Sequence, residues 1–168
     1  MKKQTKKEIN LFPLLLKDES TGLNIDGKND ISGILKGIES IQSNKDEPEI
    51  LIYIKFSGQV NVTKILVDSK AKEESNKPNI LKIFKNSSDL DFSNAASNPA
   101  TEMIKLENNY GIKISLNAPK FRKISELILY FTKEESEFIQ LDSLQFYGTI
   151  GEGLMNIGEL KKLEEKYH

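Results

Sequence analysis

The chain has 168 residues, with Lys+Arg 24 against Asp+Glu 25, so its formal net charge is −1 and the whole molecule has no field that would draw nucleic acid or anionic lipid. It has no Cys and a single His, the terminal His168, which excludes disulfides, thiolate catalysis, Cys-ligated metals, Ser–His–Asp triads and multi-His metal sites. Only carboxylates and lysines remain of the common catalytic groups, on a chain long enough to bury roughly 70% of its unfolded surface and fold as one domain.

Residues 1–8 begin Met1-Lys2-Lys3-Gln4-Thr5-Lys6-Lys7 and read as a solvated, flexible basic arm. Leu14-Leu15-Leu16 is too short for a signal-peptide core, the lone Arg122 argues against a transit peptide, and no run approaches the roughly 18 apolar residues of a membrane span. The expected address is cytoplasmic or nuclear. Residues 9–46 are irregular and rich in turn formers, notably Gly22 to Asp30. They read as a packed loop that wraps the domain, docked by Ile31, Ile34, Leu35, Ile38 and Ile41.

From residue 49 the pattern is β. Ile50, Ile52, Ile54 and Phe56 alternate, Ser57-Gly58-Gln59 reads as a turn, and Val60, Val62, Ile65 and Val67 mark a second strand. The spacing changes between Val62 and Ile65, which predicts a bulge or register change. Asp68 to Pro78 is a charged loop; Asn79 to Phe84 is a strand with Leu81 and Ile83 on one face; Asn86 to Pro99 is Ser/Asn/Ala-rich and loop-like. Short strands Met103 to Leu106 and Lys113 to Leu116 flank a turn. Longer ones, Ile124 to Thr132 and Phe138 to Tyr147, flank the acidic turn Lys133 to Glu137. No crossover-length helix separates the strands, so the class is all-β, an antiparallel sandwich or jelly roll over residues 9–150. Residues 151–168 form a helix and tail: Asn156 and Glu159 have capping-box spacing, and Ile157, Leu160 and Leu163 follow at helical spacing.

The order of these blocks resembles the PITH domain family, the proteasome-interacting module found at the C-terminus of a thioredoxin-like protein and also alone. Gly22-Leu23-Asn24 with Asp30-Ile31, the strand Glu49 to Phe56, and Val60 to Val67 come first. The run Lys82-Ile83-Phe84-Lys85-Asn86 followed by Leu90-Asp91-Phe92 is the most specific part. Pro99-Ala100-Thr101-Glu102 and the closing Phe146-Tyr147-Gly148-Thr149 complete the match, over about residues 9–165. The resemblance implies a galactose-binding-domain-like β-sandwich and a non-catalytic role docking on the 26S proteasome regulatory particle. Without Cys there is no Cys-x-x-Cys motif, so the chain resembles the stand-alone form of the module.

The candidate residues divide accordingly. Phe84 and Phe92 are expected in the core, with Asp91 accepting hydrogen bonds from loop amides. Asp26, Asn29 and Asp30 form the one candidate Ca²⁺ cluster, equally readable as a turn. Glu134, Glu135 and Glu137 are a solvated hairpin tip, where a carboxylate lacks the burial that general-acid chemistry needs. No catalytic residue and no cofactor is assigned. The competing function is a small-ligand or carbohydrate-binding jelly roll, for which Tyr53, Tyr110, Tyr130 and Tyr147 are the available stacking rings in a chain without Trp. His168 ordinarily reads as a frayed end. The implied partner adds an alternative, because the proteasome lid carries a zinc-dependent deubiquitinase with an open metal position, and a tail ending in Tyr167-His168 is placed to ligate that metal in trans. No nucleic-acid or membrane partner is expected.

Overall fold

The computed structural model describes residues 7–27, 30–85 and 90–150. The strand β4, Glu49–Asp68, is 20 residues long and organises the rest. Its first half pairs antiparallel with β2 (Thr21–Leu23) and with β8 (Ile124–Thr132). Beyond β8 lie β5 (Ile80–Lys85) and β6 (Glu102–Lys105). Its second half pairs with β10 (Ser143–Ile150) and β7 (Lys113–Ser115), and β10 carries β1 (Ile9–Asn10) on its far edge. A separate two-stranded ladder joins β3 (Ile41–Gln42) to β9 (Gln140–Leu141).

One strand therefore serves both layers. The expected turn at Ser57-Gly58-Gln59 is not a reversal: the chain stays extended, and its register against β8 shifts between Lys55 and Val60. Strands that change layers in a sandwich bend at such corners, and a glycine there removes the Cβ that would resist bending. The expected irregularity between Val62 and Ile65 is present. Tyr147 faces Lys64 while Gly148 faces Val62, so Thr63 is the extra residue of a β-bulge.

Alternation along β4 and β8 divides the apolar residues between two clusters. Ile50, Ile52, Ile54, Phe56, Val60, Val62, Ile65 and Val67 join Leu127, Leu129 and Phe131 in the main core. Leu51, Ile128 and Tyr130 point the other way, into a smaller cluster with Phe84, Leu90 and Ala95. The wrapping segment 9–46 is built of two single-turn 3-10 helices (Phe12–Leu14 and Lys17–Glu19), short strands, and α1 (Ser32–Lys36). Ile31, Ile34, Leu35 and Ile41 are buried as expected, but Ile38 is 71% exposed. Gly37 takes φ 69 and leads the chain out of α1, so the helical spacing that grouped Ile38 with the others ends one residue before it.

The structure sharpens three further readings. Part of the segment read as loop, Phe92–Ser97, is the helix α2. The two short strands around Glu107 to Gly111 do not pair with each other; β6 adds to β5 and β7 adds to β4. The closing strand is interrupted: β9 and β10 are separated at Asp142, and β10 continues to Ile150. The expected C-terminal helix at 157–166 lies outside the described residues.

Candidate functional site

The motif Lys82-Ile83-Phe84 with Leu90-Asp91-Phe92 is a clamp for α2. Asp91 is the N-cap, and its Oδ1 accepts the Asn94 N–H at 2.9 Å, supplying one partner that the helix start otherwise lacks. At the other end Lys82 Nζ donates to the carbonyls of Ala95 (3.3 Å), Ala96 (2.9 Å) and Asn98 (3.4 Å). A cation there meets both the free carbonyls and the negative end of the helix dipole. The helix lies over the outward face of the β2-β4-β8-β5-β6 layer, where Phe84 and Leu90 are buried. Phe92 is half-buried, edge-on to Tyr130 with ring centroids 6.4 Å apart. The Tyr53 hydroxyl donates to the Leu90 carbonyl and ties the segment down. Phe84, Asp91 and Phe92 are thus brought together, in a structural role.

The tyrosines do not form an open stacking platform. The Tyr130 hydroxyl donates to Glu49 Oε2 at 2.9 Å; burial, with this carboxylate beside it, pushes the phenol up to about 12. Tyr110 donates to the Pro78 carbonyl with Lys77 Nζ 5.2 Å from its ring, and burial with Glu74 and Glu107 nearby raises it to about 12. Lys113 Nζ sits 4.1 Å from the Tyr147 ring centroid. Burial, with Asp91 near Tyr53 and Glu8 near Tyr147, raises those two phenols as well. These shifts all favour the neutral phenol, the opposite of what an activated nucleophile needs.

The acidic candidates are dispersed. Glu134, Glu135 and Glu137 are exposed at the turn between β8 and β9, with Glu137 Oε1 3.5 Å from Lys45 Nζ. Asp26 is exposed; Asp30 Oδ1 accepts the Ser32 N–H at 2.8 Å; Asn29 lies outside the described residues. Among the described residues no group of three or more His, Cys, Asp or Glu is placed to hold a metal, and no helix is long and apolar enough to cross a membrane. Tyr167 and His168 lie outside the described residues. At the other terminus, Glu8, assigned to the basic arm, is engaged: Oε2 accepts from Thr63 Oγ1 at 2.6 Å and Oε1 lies 3.2 Å from Lys64 Nζ. Burial raises the Glu8 carboxyl, but the Thr63 hydrogen bond and the Lys64 ammonium outweigh it and hold the group below its usual range.

What the residue patterns missed is a cleft of about 380 Å³ beside β1, α1 and β10, lined by Asn10, Phe12, Lys17, Leu35, Lys36 and Gln145. Its two lysines stand far apart in the sequence and no motif links them to Gln145.

Long shared β4, an antiparallel layer on each of its halves and a main core enclosed between them define a galactose-binding-like β-sandwich. Solved structures agree on that fold. The family 32 CBM from C. perfringens NanJ in complex with galactose is similar at a TM-score of 0.62, covering 84% of this chain and 99% of that one at 9% identity. The CBM32-1 and CBM32-2 domains of Clostridium perfringens ZmpB in complex with GalNAc are similar at a TM-score of 0.57, covering 92% of this chain and 44% of that one at 10% identity. Identities this low speak for the fold alone. The family itself is set by sequence: the PITH domain model matches residues 1–165, and the chain belongs to the PITH domain family. The PITH domain-containing protein CG6153 of Drosophila melanogaster is 31% identical over 113 residues, 67% of this chain and 51% of the fly protein. The match thus spans about half the length of that relative.

Proposed function

We propose that this chain is a non-catalytic docking module for the regulatory particle of the 26S proteasome, with its C-terminal tail directed at the zinc deubiquitinase of the lid. The observation that carries the reading is the family match over residues 1–165, which brings with it the role the PITH resemblance implies. The geometry is in keeping with binding rather than chemistry. The phenols are held neutral, the acidic turn is exposed, and the most specific motif of the chain serves to fasten a helix to the sandwich. His168 is the one imidazole of the sequence, and it supplies a donor that a zinc ion with an open position accepts. The sugar-binding reading gains no support from the tyrosines, whose rings and hydroxyls are engaged within the domain.

A pull-down with tagged protein, in low salt with ATP, tests the docking; recovery of lid and base subunits is expected, and none recovered would end the proposal. Deleting Tyr167-His168 tests the tail. Deubiquitination by the bound complex, proteasome affinity, or both should change, and if neither does, the tail has no such role.

A further inference from the structure

The cleft beside α1 has three properties that belong together. First, among the described residues its charge is of one sign. Lys17 and Lys36 line it, no carboxylate does, and neither lysine has a carboxylate partner among the described residues. Glu19, an acidic neighbour on the Lys17 turn, is taken by Lys55 at 3.3 Å. Second, its walls are partly apolar. Lys17 Nζ sits 4.2 Å from the Phe12 ring centroid, and Leu35 lies beside them. A lysine held on an aromatic face is less hydrated than a free one and gives up less water on pairing.

Third, an apolar side chain is left bare two residues beyond Lys36, which lines the cleft. The α1 helix ends in a Schellman motif, with Ile38 N–H bonded to the Gly33 carbonyl at 3.0 Å and Gly37 N–H to Ile34 at 3.2 Å. In that motif the residue at the Ile38 position ordinarily packs on the side chain at the Gly33 position. Here that partner is a glycine, and a Cβ on Gly33 would come within 2.5 Å of Glu39 Cβ, so the contact has no room to form. Ile38 is left 71% exposed, more than any other large apolar side chain among the described residues. The preceding Gly37 lies against Ser143 and Gln145, and Gln145 lines the cleft.

We infer that the Lys17/Lys36 cleft, together with the exposed Ile38 two residues beyond Lys36, is the face by which this domain docks, and that its occupant is an acidic segment of a partner protein carrying an apolar side chain. This deepens the docking function proposed above and rests on it. Charge complementarity selects the acidic segment, and the bare Ile38, which a polyphosphate has no apolar group to cover, selects a peptide.

The test uses the full chain and a defined probe, the capped peptide Glu-Asp-Leu-Glu-Leu-Asp-Glu, with a Lys-for-acid version as control. Titration followed by ¹H–¹⁵N NMR should move the amides around Asn10 to Phe12 and Lys36 to Glu39, and the side-chain amide of Gln145. The Lys17→Glu/Lys36→Glu protein should bind about tenfold more weakly or worse, and Ile38→Ser should weaken binding with both lysines intact. Unchanged melting temperatures establish that these surface variants fold. Shifts that fall elsewhere, match those of the basic control, or survive the double substitution would overturn the inference. The same variants in the proteasome pull-down separate the two claims. Wild type recovered and the double variant lost supports the face; both recovered equally overturns the face and leaves the docking function standing. If even wild type recovers no proteasome, the docking function fails and the inference resting on it falls too.

Discussion

Gly148→Ala tests the shared-strand architecture at its tightest point. Gly148 faces Val62 just past the Thr63 bulge, and an added Cβ would lie 1.8 Å from the Asn61 carbonyl oxygen and 2.9 Å from its carbon. A carbon–oxygen contact settles near about 3.3 Å, so β10 and β4 would have to part by roughly 1.5 Å. Side-chain adjustment gives no relief, because both clashing atoms are backbone. Asn61 is fixed as well, donating to Thr149 Oγ1 at 3.0 Å and accepting from Lys123 N–H at 3.1 Å. Overpacking of about 1–3 kcal/mol adds to two weakened ladder hydrogen bonds of about 1 kcal/mol each. The sum, about 3–5 kcal/mol, lowers the melting temperature by roughly 6–20 °C in a domain of this size. Calorimetry and urea melts at neutral pH measure it. Gly27→Ala is the control: φ is +77 but nothing lies within 4 Å, so the cost is backbone strain alone, about 1–2 kcal/mol. If Gly148→Ala melts within about 2 °C of wild type, or no lower than Gly27→Ala, the close approach of the two strands is refuted.

Asp91→Ala removes the cap of α2 and should cost about 1 kcal/mol. Lys82→Met removes the donor at its other end for about 1–2 kcal/mol, and in both variants hydrogen exchange over Phe92–Ser97 should quicken before the rest of the domain; unchanged exchange there counts against the clamp. Glu8→Gln tests the N-terminal tether by pH. The folded Glu8 carboxyl lies below its ordinary 4.5, so its contribution is complete above that value and disappears as pH falls through the folded pKa. With Lys64 36% and Glu8 31% exposed the effect is small, about 0.5 kcal/mol; a wild-type advantage that persists in full at about pH 3 contradicts the tether. At the alkaline end, unfolded tyrosine ionises near 10 whereas Tyr110 and Tyr130 hold their protons to about 12. Stability should fall across that interval as unfolding releases protons, and less steeply in Tyr130→Phe, while phenolate absorbance that titrates fully near 10 in the folded protein would contradict the burial.

The strands were legible where burial alone decides them. Ile124–Thr132 has the bounds its residues predict, and the change of apolar spacing from two to three between Val62 and Ile65 marked the Thr63 bulge. Most of what was illegible depends on partners distant in sequence. A Ser/Asn/Ala stretch reads as loop, and it becomes α2 because Lys82, on another strand, reaches its C-terminal carbonyls. Ser57-Gly58-Gln59 has turn composition whether a chain reverses or crosses between layers; only the pairing of β4 with β8 on one side and β10 on the other decides it. Ile38 fits the helical spacing of Ile31, Ile34 and Leu35, and the left-handed Gly37 removes it from that face. The cleft had no sequence signal at all, because Lys17, Lys36 and Gln145 are joined only by the packing of α1 on β10.

These failures bear on function in one direction. On this sandwich the aromatic surface is spent internally: Phe92 on Tyr130, Lys113 on Tyr147, Lys77 on Tyr110. The outward face of one layer is covered by α2. Under the docking proposal, recognition falls to the two cleft lysines and to Ile38, the most exposed large apolar side chain among the described residues. Because the net charge is −1, the field there is local, set by two lysines and cut off within a Debye length of about 8 Å at physiological salt. Docking through this face should therefore weaken with added salt chiefly through slower association, while loss of Ile38 should speed dissociation, so the two contributions are separable in one kinetic experiment.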